Sequence, residues 1–170
     1  MPSDAERARE VLTEILKRMG IDAVVEGRED EERITLDVKG PESGLVIGKK
    51  GQTLDALQYL VGKVVHRGGE PAAAGDGAGA GGSGLGFVGK PIVVDTEGYR
   101  ARRAEALVEL AHRLSEKAIK THRTITVDPM SPQDRRIIHI TLDKVPGVTT
   151  RSEGEGAFRR LLIIPQPDKV

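Results

Sequence analysis

The stretch Gly44-Leu45-Val46-Ile47-Gly48-Lys49-Lys50-Gly51-Gln52-Thr53 constrains the chain more than any other. An apolar run leads into it and the apolar spacing of an amphipathic helix leads out, so the turn between them must be tight. Gly48 and Gly51 permit such a turn and let another backbone approach closely. Lys49 and Lys50 put two positive charges on it. The turn opens a helix, where free N–H groups and the helix dipole favour an anion. A sugar-phosphate backbone is the ligand this device suits, held by Gly48, Lys49, Lys50 and Gly51 with Ile47 and Gln52 flanking. The plainer alternative is an ordinary helix N-terminal turn. It is not a Walker A loop, which requires Gly-x-x-x-x-Gly-Lys-[Ser/Thr]; counted from Gly44 the spacing is one short, and Lys50 replaces Ser/Thr.

Charge decides what kind of binder this can be. The 170 residues carry 26 Lys and Arg against 26 Asp and Glu, a net charge of zero, which argues against a charge-only nucleic-acid binder. Affinity for nucleic acid must come from local basic patches. The four aromatic residues, Tyr59, Phe87, Tyr99 and Phe158, are too few for an aromatic platform on which bases stack. The length allows one large or two small domains. No run of 18 apolar residues marks a membrane-spanning helix, so no stable membrane insertion is expected. The charged, amphipathic N-terminus is not a signal peptide. Cysteine is absent, which removes disulfides and thiolate metal sites and suits a reducing cytoplasm. His66, His112, His122 and His139 lack metal-ligand spacing, and no Ser-His-Asp arrangement can be argued. The expectation is a cytoplasmic protein that is not an enzyme, with no cofactor and no metal.

In chain order, Ser3-Asp4-Ala5-Glu6 fits a capping box, and Ala8, Val11, Leu12, Ile15, Leu16 and Met19 predict a helix over about 4–19, ended by Gly20. Ala23–Val25 and Ile34–Val38 read as strands, the second with Ile34, Leu36 and Val38 on one face. Glu29–Glu32 reads as a plain hairpin loop. A short helical turn then runs to Ile47, with Leu45, Val46 and Ile47 expected in the core. Leu54, Leu57, Val61, Val64 and Val65 give the stripe of a helix to about His66. Gly68–Gly89 is almost wholly Gly, Ala, Ser and Pro. It cannot order itself by burial and would span roughly 25 Å as a flexible coil. Because the strand Ile92–Asp95 just beyond it completes the first domain's pattern, it reads as an insertion (68–90), with Phe87 and Val88 as the tail end of that strand or a small docking patch.

A long helix follows from Tyr99 to about Lys120, with Leu107, Leu110, Ala111, Leu114 and Ala118 inward. Its basic excess fits either a phosphate-contacting ridge or helix stabilisation at its C-terminal end. Thr124–Val127 is a strand. Ser131 then caps a helix with Pro132 at its first position and Asp134 completing a Ser-x-x-Asp box. Val148–Ser152 and Arg160–Ile164 read as closing strands. On the helix from Gln133 to about Leu142, Arg135 and His139 are four residues apart and share a face. An Arg fork can hold a phosphate bidentately and His adds a donor one turn along. Arg136 beside them and Arg151 in the nearby strand are weaker candidates. Alone, such a pair is commonplace on helix surfaces.

The context is more specific. Pro129-Met130-Ser131-Pro132-Gln133-Asp134-Arg135-Arg136-Ile137-Ile138-His139, then Gly147-Val148-Thr149-Thr150-Arg151-Ser152-Glu153-Gly154-Glu155-Gly156 and Arg159-Arg160, resembles the Arg-x-x-x-His domain at the C-terminal end of the bacterial Jag, or SpoIIIJ-associated (KhpB), family. The stretch from Gly44 to Leu60 resembles the KH domain of the same family, whose Gly-x-x-Gly loop clamps a single strand. The resemblance implies an α+β protein. Residues 1–98 would form a type II KH domain, a three-stranded sheet with helices on one face. Residues 99–170 would form a small Arg-x-x-x-His domain, a three-stranded sheet with two helices. It further implies single-stranded RNA as the partner (single-stranded DNA being the alternative), a small stand-alone KH protein as a second partner, and a part in RNA regulation and cell elongation. Many relatives carry a separate N-terminal Jag domain and a charged linker, with which this sequence does not begin. The rival reading is a protein-interaction adaptor for a cell-envelope or membrane-insertase partner, with RNA incidental.

Overall fold

A computed structural model describes residues 3–66 and 89–166, in two units that divide between Tyr99 and Arg100. The first begins with α1 (Asp4–Arg18). Ser3 Oγ accepts from the Glu6 N–H at 3.2 Å and the Glu6 carboxylate accepts from the Ser3 N–H at 2.8 Å, which is the reciprocal box the sequence spells. Gly20, at φ +75°, takes the left-handed conformation that ends the helix. Ala8, Leu12 and Leu16 are buried, while Met19 lies outside.

β1 (Val24–Glu29) pairs antiparallel with β2 (Ile34–Lys39), and Asp30 closes the turn between them by accepting from the Arg33 and Glu32 N–H groups at 2.8 Å. Those two bonds hold the Asp30 carboxyl below its usual range. β2 alternates as expected, with Ile34, Leu36 and Val38 buried. The chain then passes through α2 (Ser43–Ile47), a 3-10 turn (Lys49–Gly51) and α3 (Gln52–Val65). β3 (Ile92–Asp95) returns parallel to β2, with Ile34 opposite Ile92 and Leu36 opposite Val94. The sheet order is β1-β2-β3, and α1 and α3 pack on it and on each other.

The sequence-predicted insertion at 68–90, including Phe87 and Val88, falls almost wholly outside the described residues. Its two feet are tied: His66 Nε2 donates to the Lys90 carbonyl at 3.1 Å, and Lys90 Nζ donates to Glu29 Oε1 at 2.8 Å.

Three apolar expectations are corrected. Of the run Leu45–Val46–Ile47, only Val46 is in the core; Leu45 is 60% exposed and Ile47 is half-buried. A five-residue helix turns too few side chains inward to bury three in a row. Val64 is exposed because the buried face of α3 is centred toward Gln58, whose Oε1 accepts from the buried Val94 N–H at 3.0 Å.

The second unit carries most of α4 (Tyr99–Thr121), β4 (Ile125–Thr126), α5 (Pro132–Asp143), β5 (Val148–Glu153) and β6 (Arg160–Pro165). The sheet is antiparallel in the order β4-β6-β5, so the last strand is central, and Leu161, Leu162 and Ile163 are buried on it. Leu107 and Ala111 of α4 meet Ile138 and Leu142 of α5 in the core, with Leu110 and Leu114 at its margin. Ser131 Oγ accepts from the Asp134 N–H at 3.1 Å. The other half of the expected box is replaced, because the Asp134 carboxylate accepts from Arg103 Nη2 at 2.8 Å.

Gln58→Leu removes the acceptor of a buried backbone N–H on the closing strand. Urea unfolding is expected to show a loss of about 1–3 kcal/mol; an unchanged midpoint would mean that Gln58 does not hold β3.

Candidate nucleic-acid interface

The turn between α2 and α3 is built from three left-handed residues in four. Gly48 sits at φ +66°, Lys50 at +54° and Gly51 at +82°. A Cβ on Gly48 would overlap the side chain of Thr53, and one on Gly51 would come within 2.9 Å of the Tyr99 ring. Both glycines are therefore demanded by the packing of the turn itself, whatever it binds. Gly51 is the N-cap of α3 and, having no side chain, places no capping oxygen on the first-turn N–H groups. Lys49, Lys50 and Gln52 are exposed around this helix start, and Ile47 is half-buried beside it. Leu54, on the inward stripe of α3, has no exposed surface and belongs to the core, so it lines no groove for a base. The apolar side chains that reach the surface here are Leu45 and Ile47.

On α5, Arg135 and His139 both turn to β5. Arg135 Nη1 donates to Ser152 Oγ at 3.1 Å, and His139 Nδ1 is hydrogen-bonded with Thr150 Oγ1. With Nδ1 engaged, Nε2 is the ring nitrogen left for a ligand. Arg135 Nε is buried and has no hydrogen-bond partner among the described residues. Burial, and secondly the charge of Arg159, hold the Arg135 guanidinium below its ordinary pKa. An arginine does not lose its proton in a protein. Titration therefore gives no relief, and an anion near the Arg135 guanidinium would. Beside His139 a cleft of about 430 Å³ opens, lined by Leu142, Pro146, Gly147, Thr150 and Gln166. That is within the size range of small-ligand sites.

The remaining candidates fall elsewhere. Strand alternation turns Thr150 and Ser152 toward α5 and Arg151 to the opposite face, where it lies 3.9 Å from Glu153. Arg136 is exposed one step round the helix from Arg135. At the start of α4, Arg100 and Arg103 reach Gln133 and Asp134, so these basic residues anchor α5. Sequence reasoning missed Ser152, Thr150 and Arg159 as members of this face. The two-residue period of β5 opposite an Arg-x-x-x-His helix points to the first two. Arg159 arrives from a loop, and no periodicity signals it.

Both sites fall within regions that match known families. Residues 5–73 match the KH domain family of KhpA and KhpB, and residues 105–165 match the Arg-x-x-x-His domain family. A protein named RNA-binding protein KhpB from Clostridium symbiosum is 38% identical over 160 residues, 93% of this chain and 64% of that protein. The protein of the same name from Bacillus subtilis is 33% identical over 138 residues, 80% of this chain and 58% of that one. A third, from Lactiplantibacillus plantarum, is 29% identical over 152 residues, 89% of this chain and 42% of that one. The chain spans less than two thirds of the length of these curated relatives. Among the described residues no helix is long and apolar enough to cross a membrane.

The glycines and lysines of the turn separate cleanly by stability. Gly48→Ala is expected to destabilise the chain by about 1–3 kcal/mol, from backbone strain and the overlap with Thr53. Lys49→Ala and Lys50→Asn are expected to stay within about 0.5 kcal/mol, since both positions are exposed and Asn tolerates a left-handed backbone. Urea unfolding of the three variants checks this.

Proposed function

As the chain belongs to the KhpB family, with a KH domain followed by an Arg-x-x-x-His domain, we propose that it binds single-stranded RNA through two phosphate grips, one in each domain. The observation that carries the reading is Arg135. Its guanidinium is held on Ser152 Oγ, has no carboxylate within ion-pair distance among the described residues and feels the charge of Arg159, so an incoming phosphate would meet cationic charge that has no counter-charge. In the first grip the sugar-phosphate backbone lies across the Gly48–Gly51 turn, on the first-turn N–H groups of α3, with Lys49 and Lys50 supplying charge. Bases of that strand rest near Leu45 and Ile47, where shallow apolar contact gives little sequence preference. In the second, Arg135 and Arg159 take a phosphate and His139 Nε2 donates to a neighbouring oxygen. Two weak grips on one strand raise the effective affinity without any further contact.

The physiological role we infer is post-transcriptional regulation or RNA chaperoning in the cytoplasm, tied to cell elongation and envelope homeostasis as the family resemblance implies. A protein partner is the second reading, and α3 favours it. Leu60 and Val64, one turn apart, are 46% and 41% exposed beside Tyr59. A small stand-alone KH protein, or an adaptor's envelope partner, would have an apolar helix face to sit on.

Fluorescence anisotropy with a short single-stranded RNA, at several salt concentrations, tests the first reading. Lys49→Ala with Lys50→Asn is expected to weaken binding and to flatten the dependence of log K on log salt by about 0.7 for each phosphate no longer neutralised. Arg135→Ala with His139→Ala is expected to do the same independently. If neither pair changes affinity or slope, the two-grip reading is wrong. The matching DNA strand separates contacts to the 2′-hydroxyl from contacts to phosphate.

A further inference from the structure

Phe158 is 82% exposed, more than any other large apolar side chain among the described residues. It ends the 3-10 turn Gly156–Phe158, directly before Arg159. The backbone around it is held on both sides. The Phe158 N–H donates to the Glu155 carbonyl at 3.2 Å, and the Arg159 N–H to the Gly156 carbonyl at 3.3 Å. The Arg159 carbonyl accepts from the Met130 N–H at 3.4 Å, and Gly154 lies close enough that an added Cβ would sit 3.2 Å from the Phe158 carbonyl oxygen. The ring is thus presented to water by a fixed turn.

Its surroundings say what it is presented to. Residues 153–160 are all exposed, and Glu153, Glu155, Arg159 and Arg160 are charged. An apolar protein interface has a contiguous apolar patch at its centre. A lone ring among charges, with the cationic Arg159 as the next residue, matches a nucleotide, which joins a flat apolar base to a phosphate. Aromatic side chains stack any base, because every base has a π-face.

We propose that Phe158 is a base-stacking residue: a nucleobase lies on its ring while the phosphate beside it is held by Arg135, Arg159 and Ser152. The proposal rests on the reading that the Arg135 face binds phosphate, and it goes beyond that reading in naming a base contact. It leaves in place the expectation, drawn from an aromatic content of 2%, that the chain has no aromatic platform on which bases stack. A platform needs several rings, whereas one fixed ring serves one nucleotide.

The chain contains no tryptophan, so Phe158→Trp introduces a sole indole reporter. The unmodified chain and its Phe158→Ala, Phe158→Trp and Arg135→Ala variants are titrated with a short single-stranded RNA and with an abasic oligonucleotide of equal length. Phe158→Ala is expected to weaken RNA binding by about 5- to 100-fold and to leave abasic binding unchanged. Phe158→Trp is expected to bind RNA as the unmodified chain does, with its fluorescence quenched by RNA and not by the abasic strand. If Arg135→Ala weakens binding and Phe158→Ala does not, the phosphate grip stands and the stacking role falls. Equal losses for Phe158→Ala on both ligands also overturn it, since the ring would then only support the loop. If Arg135→Ala has no effect, or if the unmodified chain binds neither ligand, the reading beneath the proposal falls and the proposal with it.

Discussion

The parallel pairing of β3 with β2 is the constraint on which the first domain rests. Antiparallel strands can be joined by a two-residue turn, but parallel ones need the chain to cross back over the sheet. Here the crossing runs through α2 and α3, and the two helices meet at Gly48–Gly51. The lysines are therefore held where the helices change direction, at the open N-terminus of α3. The pairing has to survive whatever lies between His66 and Gly89. It is reinforced by Gln58 on Val94, by the Thr96 hydroxyl on the Val38 carbonyl at 2.7 Å, and by the His66–Lys90 bond at the feet of the intervening stretch. The Gly48–Gly51 turn and the closing strand are two ends of one device. A change that loosens β3 is felt at the turn through α3.

The glycines of that turn illustrate why a binding motif and a packing motif cannot be told apart by residue type alone. Gly48 is required by Thr53 and Gly51 by the Tyr99 ring, with no ligand present. The lysines differ from the glycines in that both side chains are exposed. The second grip has the opposite logic. Arg135 is costly to the fold: it is partly buried, one of its N–H groups is unanswered, and a second guanidinium stands near. A buried polar group without a partner costs stability, so the fold carries this arrangement at a cost.

Much of this is legible in the sequence, for local reasons. The Ser3–Glu6 box, the Ile34, Leu36 and Val38 alternation, the strand Ile92–Asp95 and the Ser131 cap each depend on a few neighbouring residues, and each is found in the structure. The misreadings share a different cause. Leu45, Ile47 and Val64 are apolar by type, but their burial is decided by how far a short helix turns and by Gln58 taking a place on the inner face. Leu54 suits groove lining by type, yet the core holds it completely. Arg151 is near Arg135 by motif and on the far side of a strand in space. Arg159 and Phe158 carry no periodic signal, since they lie in the turn and loop before β6. The helical and strand periods thus locate the two scaffolds of the site, and tertiary contact decides which side chains complete it.

Zero net charge is also less restrictive than it first reads. Many of the acids are committed to particular bases: Glu26 to Lys39, Glu29 to Lys90, Asp134 to Arg103, and Glu153 to both Arg151 and Arg160. Among the described residues no carboxylate lies within ion-pair distance of Lys49, Arg135 or Arg159. The sum over the chain cancels, but the local field at each candidate grip does not. Screening at physiological salt limits such fields to about 8 Å. A phosphate at Gly48–Gly51 or at Arg135 therefore responds to the cations beside it and is nearly blind to acids paired elsewhere. This is why a neutral protein of this kind can be a selective rather than an indiscriminate partner for nucleic acid. The backbone is attracted only where a strand can lie against a grip, and the long-range, sequence-blind attraction of a strongly basic surface is missing.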